Sequence, residues 1–140
     1  MKILLPVDGS AVTKRMLAYV AAHDDLFGTG HDYLAFTVVA QVPHYAARFL
    51  EREALAGYHQ EQADEVLNTV RSFAARQGWA LRTAHAPGSA AEEIAAVARA
   101  ERPDLIVMGT HGRTGLRNVL LGSVAAGVLA RCKVPVLFVR

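Results

Sequence analysis

Leu105-Ile106-Val107-Met108-Gly109-Thr110-His111-Gly112, followed after nine residues by Gly122-Ser123, decides how this chain folds. The apolar run is the mark of a strand buried on both faces, and it empties directly into a Gly-x₂-Gly-x₉-Gly-Ser segment. Glycines in that place let backbone N–H groups close on an anion without Cβ interference, and a following helix adds its positive N-terminal end. Ser123 is placed to cap that helix, its hydroxyl either meeting a backbone N–H or turning outward to a phosphate oxygen. Any one of these glycines also suits a tight turn. With 11 glycines in 140 residues, however, the full pattern arises by chance in roughly one such chain in a hundred.

Working outward, Ile3-Leu4-Leu5-Pro6-Val7 reads as a strand that ends at the turn Asp8-Gly9-Ser10, after which Val12, Met16, Leu17 and Val20 recur at helical spacing. Tyr33 to Val39 predicts a second strand. Tyr45 to Gln77 predicts a long helix with Val66, Leu67, Val70 and Phe73 on its apolar stripe, a break at Gly57 and a stop at Gly78. Trp79 to Ala84 is the expected third strand, and Pro87-Gly88 a turn. Ser89-Ala90-Ala91-Glu92 has the spacing of a capping box for the next helix, which Arg102-Pro103-Asp104 stops. Leu105 to Met108 is then the fourth strand, Ser123 to Arg131 the last helix and Val134 to Val139 the fifth strand. Strands apolar on both faces and separated by helices imply a single α/β domain over residues 1–140. Its sheet is doubly wound and parallel, and ligands bind beyond the carboxyl ends of the strands.

Composition sets the bounds. At 52% hydrophobic and 20% charged residues, the chain has the make-up of one packed domain. No apolar run approaches membrane-spanning length and none follows Lys2 as a secretory segment would, so the expected location is cytoplasmic, without a membrane partner. Cys132, the sole cysteine, argues against disulfides and paired-cysteine zinc sites. The histidines lack metal-ligand spacing, and no structural metal is expected. A net charge of +2 without a basic block does not suggest nucleic acid. After Asp104 the chain has no acidic side chain, while Arg113 and Arg117 fall within the glycine segment, a local field suited to a small polyanion.

Pro6-Val7-Asp8-Gly9-Ser10, the stretch from Asp104 through Met108-Gly109-Thr110-His111-Gly112-Arg113 to Leu116, and Gly122-Ser123-Val124 before Val134-Pro135-Val136-Leu137 together resemble the universal stress protein family over essentially the whole chain. An intact glycine segment is the mark of that family's ATP-binding branch. The resemblance implies a five-stranded parallel sheet in the order 3-2-1-4-5 with helices on both faces. It further implies that Pro6, Val7 and Asp8 face the adenosine and that Val38 touches adenine. Met108, Gly109, Gly112 and Arg113 would line ribose and phosphates, and Gly122, Ser123 and Val124 would close over the phosphate tail. Thr37 stands where such proteins often carry His. ATP, with Mg²⁺ in company, is the implied cofactor, and a homodimer through Val134 to Val139 the implied assembly.

The residues leave Asp8 open to a second role as turn former beside Gly9 and Ser10, and Val38 to a place in the core. His111 is expected as a contact or a spectator rather than an acid or base. No residue stands out to position water for hydrolysis, so the expected function is an ATP-binding regulator of the stress response with at most slow turnover. Two alternatives are a dimeric interaction module that works without nucleotide and an ATP pyrophosphatase or adenylate-forming enzyme. The enzyme would need a Ser-Gly-Gly-x-Asp-Ser type loop where this chain has Val7-Asp8-Gly9-Ser10-Ala11.

Overall fold

The first strand, β1 (Lys2–Pro6), is buried at four of its five residues, which requires cover on both faces of its sheet. In the computed structural model, which describes residues 1–112 and 120–140, both faces are covered. Ile3 pairs in parallel with Tyr33 of β2 (Asp32–Val39) and with Leu105 of β4 (Leu105–Gly109). The edge strands are β3 (Ala80–Pro87) and β5 (Val136–Val139), giving the order β3-β2-β1-β4-β5 that the resemblance implied.

Strand alternation divides the core in two. Ile3, Leu5 and Val107 point toward Met16 and Val20 of α1 (Ala11–Ala22) and toward Val66, Leu67 and Val70 of α4 (Arg52–Gln77). Leu4, Phe36, Ile106 and Met108 point the other way, against Ile94 and Ala98 of α5 (Ala90–Glu101) and Val128 of α6 (Ser123–Arg131). Winding therefore changes sides between β1 and β4, and this is the topological switch point where a parallel sheet opens a crevice at its carboxyl edge.

Several boundaries differ from the sequence expectation. The long helical segment is two helices, α3 (His44–Ala47) and α4, separated by 48–51, while Gly57 lies inside α4 with open space where a Cβ would stand. Gly78 ends α4 as expected, left-handed at φ 70° with its N–H on the Ala74 and Ala75 carbonyls. β3 continues past Ala84 because its pairing with β2 runs on to Val39 and Pro87. Ser89 does precede α5, but its side chain makes no capping bond. Glu93, not Glu92, folds back over Gly88, where an added Cβ would meet Glu93 Oε1 at 2.8 Å. β5 starts at Val136, after Pro135, which has no N–H to give a ladder.

A four-residue helix that the sequence did not announce, α2 (Asp24–Phe27), closes the amino edge. There Tyr33, 1% exposed, stacks on Trp79 with ring centroids 4.6 Å apart and donates its hydroxyl to the carbonyls of Phe27 and Gly28. Burial pushes the Tyr33 phenol from 10.0 up to about 12. The folded state thus keeps a proton that the unfolded chain gives up first. Its stabilising effect is complete below pH 10.0 and drains away as the pH rises to about 12. In a spectrophotometric titration the Tyr33 phenolate should appear late and together with unfolding. Four tyrosines titrating as one group would contradict this.

Candidate functional site

At the end of β1 the chain turns sharply, and each bond of the turn has an identifiable owner. Val7 N–H still reaches the Phe36 carbonyl at 2.9 Å, so the sheet holds the chain up to this point. Gly9 then takes φ +75°, which favours glycine. Ser10 is the N-cap of α1 and accepts from Thr13 N–H. Asp8 Oδ1 accepts from Ser10 N–H at 3.0 Å and from the Thr13 hydroxyl at 2.8 Å, while Thr13 Oγ1 accepts from Asp8 N–H at 3.1 Å. Asp8 is therefore a turn former, the second of the two roles left open by the sequence. Thr13, buried at the centre of this network, was not among the expected site residues. Its only signal was a hydroxyl three residues after the cap.

The glycine segment comes to the same place from the neighbouring strand. A Cβ at Gly109 would run into Val12 Cγ1 of α1, so the end of β4 lies against that helix more closely than a side chain permits. A Cβ at Gly112 would stand 2.8 Å from Asp8 Oδ2. The two oxygens of Asp8 thus divide: Oδ1 holds its own turn and Oδ2 faces the glycine loop across the switch point. Thr110 N–H bonds the Val139 carbonyl at 3.0 Å, and Gly122 N–H returns to the Thr110 carbonyl at 2.7 Å. The loop leaves β4 and closes on the residue after it. What constrains these three glycines is close approach, tightest at Gly109, since none has a positive φ.

This closure corrects the expected capping. Gly122 is the N-cap of α6 and Ser123 is its first helical residue, so the Ser123 hydroxyl is not the cap. Gly122 N–H is committed to Thr110. The amides of Ser123, Val124 and Ala125 head the helix, where the intrahelical pattern supplies no acceptor, and the positive end of α6 lies there. Ser123 is exposed and Val124 half-buried. These helix-heading donors suit an anionic ligand.

The remaining expected residues fall as follows. Pro6 and Val7 are buried in β1 and just after it, and Met108 is buried in β4 one residue before Gly109. Val38 is half-buried near the carboxyl end of β2, on the α5–α6 side, paired with Ala86 of β3. His111 Nδ1 lies 3.0 Å from Thr110 Oγ1. Arg113 lies outside the described residues. Among the described residues, no group of three His, Cys, Asp or Glu side chains is disposed to hold a metal ion, and no helix is long and apolar enough to cross a membrane.

Asp8 gives a direct test of the turn. Asp8→Ala removes the two hydrogen bonds accepted by Oδ1 and should cost about 2 kcal/mol of stability in urea unfolding. Asp8→Asn keeps a carbonyl oxygen at the Oδ1 position and should cost less than half of that. Equal losses would mean that Oδ1 does not organise the turn.

A parallel sheet in this order, with a glycine segment closing beside an aspartate turn at its switch point, defines a class of doubly wound α/β fold. The whole chain, residues 1–140, matches the model of the Universal stress protein family, and it belongs to that family. Universal stress protein MJ0531 of Methanocaldococcus jannaschii is 34% identical over 99% of this chain and 81% of its own length. The solved structure of MJ0577 superposes with a TM-score of 0.80 at 30% identity, covering 99% of this chain and 94% of that one. The same fold is found in the universal stress protein of Archaeoglobus fulgidus in complex with dAMP, at 20% identity and a TM-score of 0.69 over 100% of this chain and 98% of that one. It is also found in an Arabidopsis thaliana family protein with AMP bound, at 16% identity and a TM-score of 0.70 over 99% and 90%.

Proposed function

We propose that this chain binds ATP at the β1–β4 switch point and acts as a homodimeric, cytoplasmic regulator in the stress response, with at most slow ATP hydrolysis. The observation that carries this is the meeting of Asp8, Gly112 and the Gly122–Thr110 closure at one point of the carboxyl edge. Solved family proteins of the same fold hold AMP and dAMP, which supports an adenine nucleotide as the ligand.

In this arrangement Pro6, Val7, Asp8 and Val38 serve the adenosine half. Met108, Gly109, Gly112 and Arg113 line ribose and phosphates, and the amides of Ser123 and Val124 behind Gly122 hold the phosphate tail. Mg²⁺ would be carried by the phosphate oxygens. At most slow turnover fits the described residues at the site, which offer glycine amides, a hydroxyl, the His111 imidazole beside Thr110 Oγ1 and a carboxylate whose Oδ1 is tied into a turn. The edge strand β5, with Val136, Leu137 and Phe138 only half-buried, suits pairing with a second copy.

The protein as purified should show adenine absorbance. Once stripped and reloaded with ATP, it should sediment at twice the chain mass. A monomer that neither carries nor takes up nucleotide would contradict the proposal.

A further inference from the structure

A cleft of ≈ 440 Å³ opens at the amino edge, at the opposite end of the sheet from the candidate site. Its volume falls in the range of small-molecule sites. It lies where α2 and the loop after it meet the end of α4. Asp24, Asp25 and Thr29 line it from α2 and that loop, Gln77 and Trp79 from the end of α4 and the approach to β3. Two close approaches build its walls. A Cβ at Gly28 would stand 2.5 Å from the Asp24 carbonyl oxygen, so the loop folds tightly back on α2, and one at Gly78 would stand 3.5 Å from Thr29 Cγ2, so the loop reaches across to α4.

The group that points to a ligand is the indole nitrogen of Trp79. This side chain is 8% exposed, with Tyr33 stacked on its ring and Phe73 set edge-on. A buried indole N–H ordinarily finds an acceptor, yet Trp79 Nε1 donates to nothing among the described residues. Nor is it sealed in, because the fully enclosed side-chain nitrogen without a partner among those residues is His59 Nε2. Trp79 Nε1 therefore keeps an opening, and the opening that Trp79 lines is this cleft.

The other lining groups define what is missing. Asp24 and Asp25 are exposed carboxylates that enter no ion pair or side-chain hydrogen bond among the described residues. Arg76, beside Gln77, turns to the Phe73 ring instead, its guanidinium carbon 5.9 Å from the centroid. His31 has no nitrogen to spare: Nδ1 lies 3.1 Å from the Met1 amine and Nε2 2.9 Å from the Leu26 carbonyl. A metal ion is a poor fit, since no group of three His, Cys, Asp or Glu among the described residues is disposed to hold one. Two unpaired anions and one unpaired neutral donor call for a molecule with the opposite set, a cationic donor and an acceptor oxygen.

We propose that the amino-edge cleft binds a small organic cation, its ammonium or guanidinium group held by Asp24 and Asp25 and its carbonyl or hydroxyl oxygen accepting from Trp79 Nε1. Charge-assisted hydrogen bonds of the first kind supply strength, and the indole N–H supplies selection for an oxygen-bearing cation. The site is separate from the nucleotide-binding function proposed above, and its test needs no ATP.

Trp79 is the single tryptophan of the chain, so one indole ¹H–¹⁵N resonance reports on the cleft. The probe is argininamide and the control agmatine: both carry a guanidinium and an ammonium group, and agmatine lacks the carbonyl. Argininamide should bind saturably and move the indole resonance as the N–H gains an acceptor. Agmatine should bind more weakly and move it far less. The double variant Asp24→Asn, Asp25→Asn exchanges two exposed side chains, so it should keep the wild-type urea midpoint and bind argininamide at least tenfold more weakly, as the loss of a charged partner implies (about tenfold or more). Undiminished affinity in the folded variant would overturn the proposal. Should that variant fail to fold, the wild-type comparison still decides: an indole resonance that argininamide leaves in place, or that both probes move equally, would overturn it as well.

Discussion

Gly122→Val is expected to weaken ATP binding at least tenfold, or about 1.4 kcal/mol, in a protein that still folds. The cause lies in the closure of the loop. A Cβ at Gly122 would stand 3.0 Å from the Thr110 carbonyl oxygen and 3.4 Å from His111 Cα. Valine adds two methyl groups to that contact, and the turn can relieve it only by moving α6 away from the end of β4. The Gly122 N–H to Thr110 bond at 2.7 Å then lengthens, and the Ser123 and Val124 amides lose their aim at the phosphates. The core under α6 rests on Ala125 and Val128, deeper in the helix, so the fold should survive. Calorimetric titration with ATP, alongside circular dichroism, checks both halves. Wild-type affinity in a folded variant would mean that the closure does not shape the site.

Trp79→Ala, at the opposite edge of the sheet, is expected to cost about 3–5 kcal/mol of folding stability. Trp79 is buried between Tyr33, stacked at 4.6 Å, and Phe73, edge-on at 5.7 Å, and truncation leaves both rings facing a void. Domains of this kind are stable by about 5–15 kcal/mol in total, so the variant should be marginal yet recoverable. ATP at a hundred times its Kd should restore about 2.7 kcal/mol, the same increment as in wild type, because the carboxyl edge is untouched. Urea unfolding with and without ATP measures both numbers. A loss under 1 kcal/mol would show that the aromatic cluster does not hold the amino edge. A smaller ATP increment than in wild type would show that the two edges are coupled.

β1, β2 and β4 were legible because each is a short apolar run bounded by Gly, Pro or Asp, whereas β3 carries Arg82, Thr83 and His85, and the strand order followed from the family resemblance. Helix boundaries were less so, for identifiable reasons. Gly57 looked like a break, but a solvent-facing glycine costs a helix only about 1 kcal/mol, which a 26-residue helix docked on the sheet absorbs. The actual interruption, Arg48 to Glu51, contains neither glycine nor proline. Ser123 and Ser89 carried capping signals that the fold did not use, because close packing required Gly122 at the cap and Glu93 reached back over Gly88 instead.

The glycine segment was legible as a spacing, but its physical reason was not. Sequence suggested backbone amides freed by glycine. The structure adds that Gly109, Gly112 and Gly122 are pinned by Val12, Asp8 and Thr110, contacts made across β1, α1 and β4 that no local pattern records. The same holds for Asp8, whose Oδ1 holds the turn while Oδ2 faces Gly112.

The most direct test of the β1–β4 cradle is calorimetric titration of ATP with Mg²⁺ into nucleotide-stripped wild-type protein. Saturable binding at one site per chain, with a Kd in the micromolar range (about −8 kcal/mol), is the expected result. A well-folded protein that releases no heat and takes up no ATP would contradict it and leave the three glycines as packing residues of a dimeric interaction module.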